Sequence, residues 1–208
     1  MSLKSKSISS KSSLNEDERL KKISPLRVLL NRPELGALGG SIAGGEFNVA
    51  VGNNSLDALT SADRNTAVGY NAGTATTTGG TNTFIGYAAG AGNTEGTTIV
   101  AIGHEAYDVA DTENHNLAIG ESALGGSVAG GEYNVAIGNY TCDAITSGDD
   151  NTAVGYQALS GETSGGQNTA IGKMALKTAN SGNGNTCLLY TSDAADDLLC
   201  VDLGGRRI

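Results

Sequence analysis

The chain has 208 residues, of which 31 are glycine, 2 are proline and none is tryptophan. Aromatic residues make up only 4% of it, so few side chains are large enough to fill the wide core of an ordinary globular domain. The formal net charge of −9 is concentrated in residues 31–186, where fifteen acidic residues oppose four basic ones. An acidic body of this kind is unsuited to gripping a phosphate backbone, and we expect no nucleic-acid partner.

Residues 1–30 have a different composition from the rest. They carry seven Lys and Arg against three acidic residues and are rich in serine. Their apolar run, Leu26 to Leu30, is short and is interrupted by Arg27, so it matches neither a secretory signal nor a membrane-spanning segment. We expect residues 1–30 to form a flexible basic tail, with docking to a particle or partner as an alternative role, and we expect no membrane insertion in this chain.

Residues 31–186 are dominated by a repeat with the pattern Asn-x-Ala-(Val/Ile)-Gly-x-x-Ala-Leu. Its glycines recur every 17 residues, except that Gly120 and Gly138 are 18 apart. A fixed period of this length indicates a solenoid of about eight full turns. The segment 37–52 is nearly repeated at 123–138, which predicts that Ala37 and Leu38 close a degenerate first turn. The structural anchors of the repeat are Asn48, Gly52, Asn65, Gly69, Asn82, Gly86, Gly103, Asn116, Gly120, Asn134, Gly138, Asn151, Gly155, Asn168 and Gly172.

The alternation within one turn predicts an all-β fold, a parallel β-solenoid with two short strands per turn. In Asn-x-Ala-(Val/Ile)-Gly we expect x and Val/Ile to face inward and Ala to face outward, since β-branched side chains suit strands and can fill a narrow interior. Glycine would turn a corner with positive φ, and the asparagines would form a hydrogen-bonded ladder. We therefore expect Ile137→Asp to disrupt folding and Ser164→Asp to be tolerated.

The repeat offers no residues for catalysis or for metal binding. His104 and His115 lie in different turns, with no His or Cys partner at ligand spacing, so we expect exposed loop histidines rather than a metal site. Cys142 is the one cysteine before residue 187, and it stands where other repeats have Leu, Gly or Tyr. We expect no enzyme activity and no cofactor, metal or catalytic residue.

The repeat resembles the head repeat of YadA-type trimeric autotransporter adhesins and, more closely, the NTAVGYQAL-type repeat of phage tail fibres. NTAVGYQAL stands at residues 151–159 and NTAVGYNAG at residues 65–73. The resemblance covers residues 37–186. It implies a left-handed parallel β-roll that assembles as a homotrimer, and the row of alanines, if outward, is where a second copy would pack.

The same resemblance implies a structural and adhesive function. We expect a segment of a virion tail fibre that contacts a host cell-surface glycan or protein receptor through its variable loops. The alternative is the head domain of a trimeric autotransporter adhesin on a bacterial surface. Such adhesins carry a signal peptide before the head, and the basic tail at the N-terminus does not resemble one.

The pattern ends abruptly near the C-terminus. Residues 187–208 resemble the translation of a transposase-type sequencing adapter, and we expect this tail to be non-native; a natural C-terminal helix is the alternative. The phase of the repeat places the start of a further turn at Asn185 and Thr186. The sequence thus predicts a repeat interrupted in mid-motif.

Overall fold

The computed structural model describes residues 37–38, 45–126, 128–179 and 181–188, and the backbone of a strand at 200–202. The predicted tail at 1–30 and most of residues 187–208 lie outside the described residues. Within the described ranges every regular element is a strand. The strands are β1 (Val49–Val51), β2 (Thr66–Val68), β3 (Thr83–Ile85), β4 (Val100–Ile102), β5 (Leu117–Ile119), β6 (Val135–Ile137), β7 (Thr152–Val154), β8 (Thr169–Ile171), β9 (Asn185–Leu188) and β10 (Cys200–Asp202).

The strands form one sheet in chain order. From β1 to β9 each strand pairs in parallel with the next, and equivalent residues are aligned, as Ala50 is with Ala67. The longer turn between Gly120 and Gly138 keeps this alignment, since Leu117 pairs with Val135. The predicted parallel β-solenoid with one repeat per turn is therefore confirmed. No helix in the part of the chain that the structure describes is long and apolar enough to cross a membrane.

The predicted inward and outward faces of the strands are wrong. The central residue of each strand, expected outside, is buried, as in Ala67, Ala118 and Ala153, each 0% exposed. The β-branched residues on either side point outward; Val68 and Ile85 are 37% and 38% exposed. The interior beside these small strand residues is filled by larger side chains from the rest of the turn, such as Leu56, Leu59 and Ile145, each 0% exposed.

The segment x-x-Ala-Leu is a turn and not the second strand that we predicted. In the turn at 155–159, Gln157 and Leu159 have φ of 53° and 54°, and left-handed residues of this kind bend the chain. The Ala and Leu nevertheless point inward, since Ala158 and Leu159 are both 0% exposed. The strained Leu159 is held by a hydrogen bond from its N–H to the carbonyl oxygen of Ala175 in the next turn, at 2.8 Å.

The glycine that follows each strand forms the predicted corner with positive φ. Along the solenoid its φ lies between 122° at Gly172 and 142° at Gly69. A Cβ at Gly69 would overlap the carbonyl oxygen of Gly86, and the same holds from turn to turn down this column. Glycine is therefore needed at the corner for its backbone conformation and for the close approach of successive turns.

The predicted asparagine ladder is also confirmed. Asn151 is buried, and its N–H donates to Oδ1 of Asn134 at 3.0 Å. Its own Oδ1 accepts the N–H of Asn168 at 3.0 Å, and its Nδ2 donates to the carbonyl oxygen of Gly165 at 2.9 Å. Each asparagine thus connects neighbouring turns and closes its own turn, satisfying backbone groups that burial would otherwise leave unpaired.

One turn lacks this asparagine, and a tyrosine takes over part of its role. Ile99 takes the place of an asparagine in the ladder and is fully buried. We call the polar segment that leads from one turn to the next asparagine the return. The other asparagines donate to a carbonyl oxygen of this return, but the Ile99 side chain has no donor. In this turn the carbonyl oxygen belongs to Glu113, and it accepts a hydrogen bond from the hydroxyl of Tyr107 at 3.3 Å. The oxygen of the same hydroxyl accepts a hydrogen bond from Nδ2 of Asn116 at 3.0 Å. Burial raises the pKa of the Tyr107 hydroxyl above its ordinary value.

We expect Tyr107→Phe to destabilise the solenoid by about 1–3 kcal/mol, because it leaves the buried carbonyl oxygen of Glu113 without a donor. The loss is measured as the change in unfolding free energy in urea. The double variant Ile99→Asn/Tyr107→Leu restores the residues of the other turns and should be more stable than Tyr107→Phe. Equal stability of Tyr107→Phe and the wild type would contradict this account of the pair.

Both ends of the described solenoid extend the repeat. Ala37 and Leu38 are buried, and the N–H of Leu38 donates to the carbonyl oxygen of Ser55 at 2.9 Å. These two residues therefore pack on the first complete turn, at the positions expected for a degenerate turn before it. At the other end, β9 continues past residue 186, where we expected the repeat to end. Cys187 is buried and aligns with the central alanines of the preceding strands, which we call the alanine column. Cys187 is disulfide-bonded, and β10 pairs with β9 in antiparallel.

Candidate interaction surfaces

The outward face of the sheet carries a continuous apolar column. Its members are the third residues of β1 to β8, which align one turn above another by the strand register. Turns in such a sheet are about 4.8 Å apart, so the column is roughly 34 Å long. Unlike scattered surface apolar residues, it forms one stripe. Its residues are Val51, Val68, Ile85, Ile102, Ile119, Ile137, Val154 and Ile171.

Aromatic side chains extend this stripe around the corner. The residue after the corner glycine is aromatic in several turns, and Tyr70 and Tyr87 are 46% and 49% exposed. Their rings stack with centroids 5.3 Å apart, and Tyr87 stacks in turn on His104 at 4.9 Å. Tyr156 occupies the same position three turns beyond His104 and is 43% exposed. The apolar face is therefore wider than one strand.

A second column is formed by the residue before each asparagine, and it holds a phenylalanine and a tyrosine. Phe47 and Tyr133 are each 53% exposed. Arg64 of the following turn lies over the Phe47 ring, 5.7 Å from its centroid. Tyr133 stacks instead on His115 of the preceding turn, with centroids 4.8 Å apart and planes 9° apart. Phe47 is thus covered by a residue of the following turn, whereas Tyr133 is covered by a residue of the preceding turn.

The polar returns are held in place by side chains that lie two residues before the ladder asparagine. Asp149 Oδ1 accepts the N–H of Glu132 in the preceding turn at 2.8 Å, and Asp63 Oδ1 accepts that of Glu46 at 2.7 Å. These carboxylates stabilise the stacking of the returns. Beside Asp149 is an open polar depression of about 240 Å³, lined by Ser147, Asp149, Asp150, Ser164, Gln167 and Asn183.

The interior contains ionisable side chains, among them Cys142 and Glu162. Burial raises the pKa of the free Cys142 thiol, which is fully enclosed. Glu162 is buried, and its Oε1 accepts the N–H groups of residues 163, 164 and 165, which is a structural role. The described ranges contain no group of three or more His, Cys, Asp or Glu side chains that could hold a metal ion.

The residues singled out from the sequence and the residues that face solvent are different sets. The asparagine and glycine anchors form the ladder and the corner column, so they build the scaffold and do not line a surface site. The outward stripe and the two aromatic columns were not predicted as sites. The recurrence of tyrosine directly after the corner glycine, at Tyr70 and again one repeat later at Tyr87, is the signal in the sequence that indicates the first of them.

No protein-family model, curated protein or solved structure matches this chain. The features that bear on function are therefore the solenoid itself, the apolar stripe, the exposed aromatic columns and the polar depression.

Proposed function

We propose that this chain is a non-enzymatic structural and adhesive segment of a phage-like tail fibre, located on the virion and working as a homotrimer. The observation that carries the proposal is the outward apolar stripe of eight aligned Val and Ile residues. The sequence resemblance to tail-fibre repeats supports the same assignment. In this arrangement three rods would each turn the stripe toward a common axis.

The physical reason for self-association is the apolar area that one rod leaves in water. Val68, Ile85 and Ile171 keep 37%, 38% and 39% of their surface exposed. Burying apolar surface contributes about 25 cal/mol per Å², and a stripe of many turns makes the sum substantial. A face that repeats along a straight rod fits a closed cyclic assembly of identical chains. This replaces the alanine row as the expected contact, because the alanines are inside.

Receptor contact is assigned to exposed residues of the returns that no neighbouring side chain covers. Strands, corner and ladder constrain their residues from turn to turn, whereas exposed return residues can vary without disturbing the stack. We propose that these positions bind a host cell-surface glycan or protein. The purified chain should therefore bind intact host cells, and a well-folded chain that binds none of the hosts of its source particle would contradict the adhesive part of the proposal.

Trimerisation is tested with a charge in the stripe. We expect Ile137→Asp to keep its β-sheet circular dichroism while its mass by light scattering falls from three chains to one, because Ile137 is half-buried on the outward face. This differs from the unfolding that an inward Ile137 would give. The matched control is Ser164→Asp, at an exposed return, which should remain trimeric. A monomeric wild type, or a trimeric Ile137→Asp, would overturn the proposed assembly.

A further inference from the structure

Tyr133 is an exposed aromatic residue one turn before the residues that line the polar depression. Its ring is parallel to that of His115 in the preceding turn, at 4.8 Å, so the opposite face of Tyr133 is directed toward the following turn. The residue in the same column of that turn is Asp150, which lines the depression. Successive turns are about 4.8 Å apart, so Tyr133 lies one turn spacing from Asp150.

The groups that line the depression are hydrogen-bonding side chains on three successive returns. Ser147, Asp150, Ser164 and Gln167 are all exposed, and together they offer hydroxyl donors, an amide and a carboxylate acceptor. Asp149 lies among them, but one of its oxygens already accepts the N–H of Glu132. The carboxylate of Asp150 makes no side-chain hydrogen bond with the described residues, and it is therefore available to a ligand.

The equivalent place in the earlier copy of the repeat has different chemistry. The duplication that relates 37–52 to 123–138, continued into the next turn, places Phe47 at Tyr133 and Arg64 at Asp150. There the Arg64 guanidinium lies over the Phe47 ring and covers the face that Tyr133 leaves free. The two copies share the same backbone features, including the carboxylate bonds of Asp63 and Asp149. The two copies thus differ in the side chain that follows the ring in the same column, Arg64 after Phe47 and Asp150 after Tyr133.

We propose that Tyr133 and the depression beside it form a binding site for a neutral sugar unit of a cell-surface glycan. This assignment rests on the proposed adhesive function and names the ligand class for one site. A pyranose ring has an apolar C–H face that packs on an aromatic ring, and its hydroxyls are donors to Asp150 and partners for Ser164 and Gln167. Two adjacent carboxylates, Asp149 and Asp150, disfavour an anionic sugar by like-charge repulsion.

The test measures sugar binding by ligand-observed saturation-transfer NMR on the full chain. The probes are the methyl glycosides of glucose, galactose and N-acetylglucosamine, with N-acetylneuraminic acid as the anionic comparison. We expect at least one neutral glycoside to bind and the anionic sugar not to bind. Tyr133→Ala and Asp150→Ala should each weaken that binding about tenfold, the size expected for a lost aromatic or charged hydrogen-bond contact.

Phe47→Ala is the matched control, because Phe47 has the same exposure and the same column position as Tyr133 and its face is covered. It should leave sugar binding unchanged. Circular dichroism and the light-scattering mass check that each variant is folded and assembled, and Asp150→Ala provides a second variant at an exposed residue. Absence of binding to every neutral probe, or equal binding by wild type, Tyr133→Ala and Asp150→Ala, would overturn the site. Host-cell binding retained by both variants would also overturn it, while leaving the proposed fibre function in place.

Discussion

Gly69→Ala is expected to destabilise the solenoid by about 2–6 kcal/mol, the sum of a backbone strain and a steric overlap. Gly69 has φ of 142°, and a Cβ there would overlap the carbonyl oxygen of Gly86. A side chain in this backbone region costs about 1–3 kcal/mol in strain, and forcing atoms into a packed contact costs a further ~1–3 kcal/mol. The overlapping atom belongs to the backbone of the next strand corner, so it cannot rotate away. The change is measured as the unfolding free energy in urea.

The control for this prediction is Gly130→Ala. Gly130 also has positive φ, at 109°, but a Cβ there would meet nothing within 4 Å. It should therefore show only the conformational strain of about 1–3 kcal/mol. Hydrogen exchange should place the extra damage of Gly69→Ala in the turns around β2 and β3, because solenoid stability depends on nearest neighbours. Equal losses in the two variants would show that the corner contact is unimportant.

The period and the register were predictable because both are properties of sequence spacing. A repeat of constant length places the same residue type at the same height in every turn, and the aligned pairing of Ala50 with Ala67 follows directly. The asparagine ladder was predictable for the same reason. An amide at a fixed position can both accept from one turn and donate within another, as Asn151 does.

The side of the strand that faces inward was not predictable from the alternation alone. In a three-residue strand the first and third residues share one face and the central residue lies on the other. The hydrophobic effect alone would favour burial of the face that carries Val and Ile. The opposite segment, however, places its own Ala and Leu inside, as Ala158 and Leu159 show, and the strand contributes its small central residue. That segment uses left-handed residues such as Gln157 and Leu159, and positive φ is not favoured by residues of these types.

The candidate sugar site depends on relations that the linear repeat hides. Tyr133 and Asp150 belong to different returns, and their proximity follows only once the turns are stacked. The covering of Phe47 by Arg64 likewise arises only when their two turns are stacked. The sequence did contain the duplicated segment, and comparing its two copies position by position indicates where they have diverged at the surface.

Phe84→Ala is expected to destabilise the solenoid by about 3–5 kcal/mol, the usual cost of removing a fully buried phenylalanine. Phe84 occupies the alanine column and is 0% exposed. It fits there because the positions that hold leucine in other turns are Gly73 and Gly90, at which a Cβ would overlap its ring. Alanine at 84 restores the usual strand residue, but leaves the space of both missing leucines empty. The loss is measured by urea unfolding and by hydrogen exchange in β2 to β4.

A double-mutant cycle with Gly90→Leu tests this compensation. Gly90 has φ of 62°, and leucine is tolerated at the equivalent position in other turns, where Leu56 and Leu159 have φ of 49° and 54°. Alone, Gly90→Leu should destabilise the chain, because its side chain collides with Phe84. In the Phe84→Ala background the same substitution should stabilise it by filling the vacated space. A change of sign is a strong form of coupling between neighbours; effects that simply add would mean that Phe84 and Gly90 do not share one packing site.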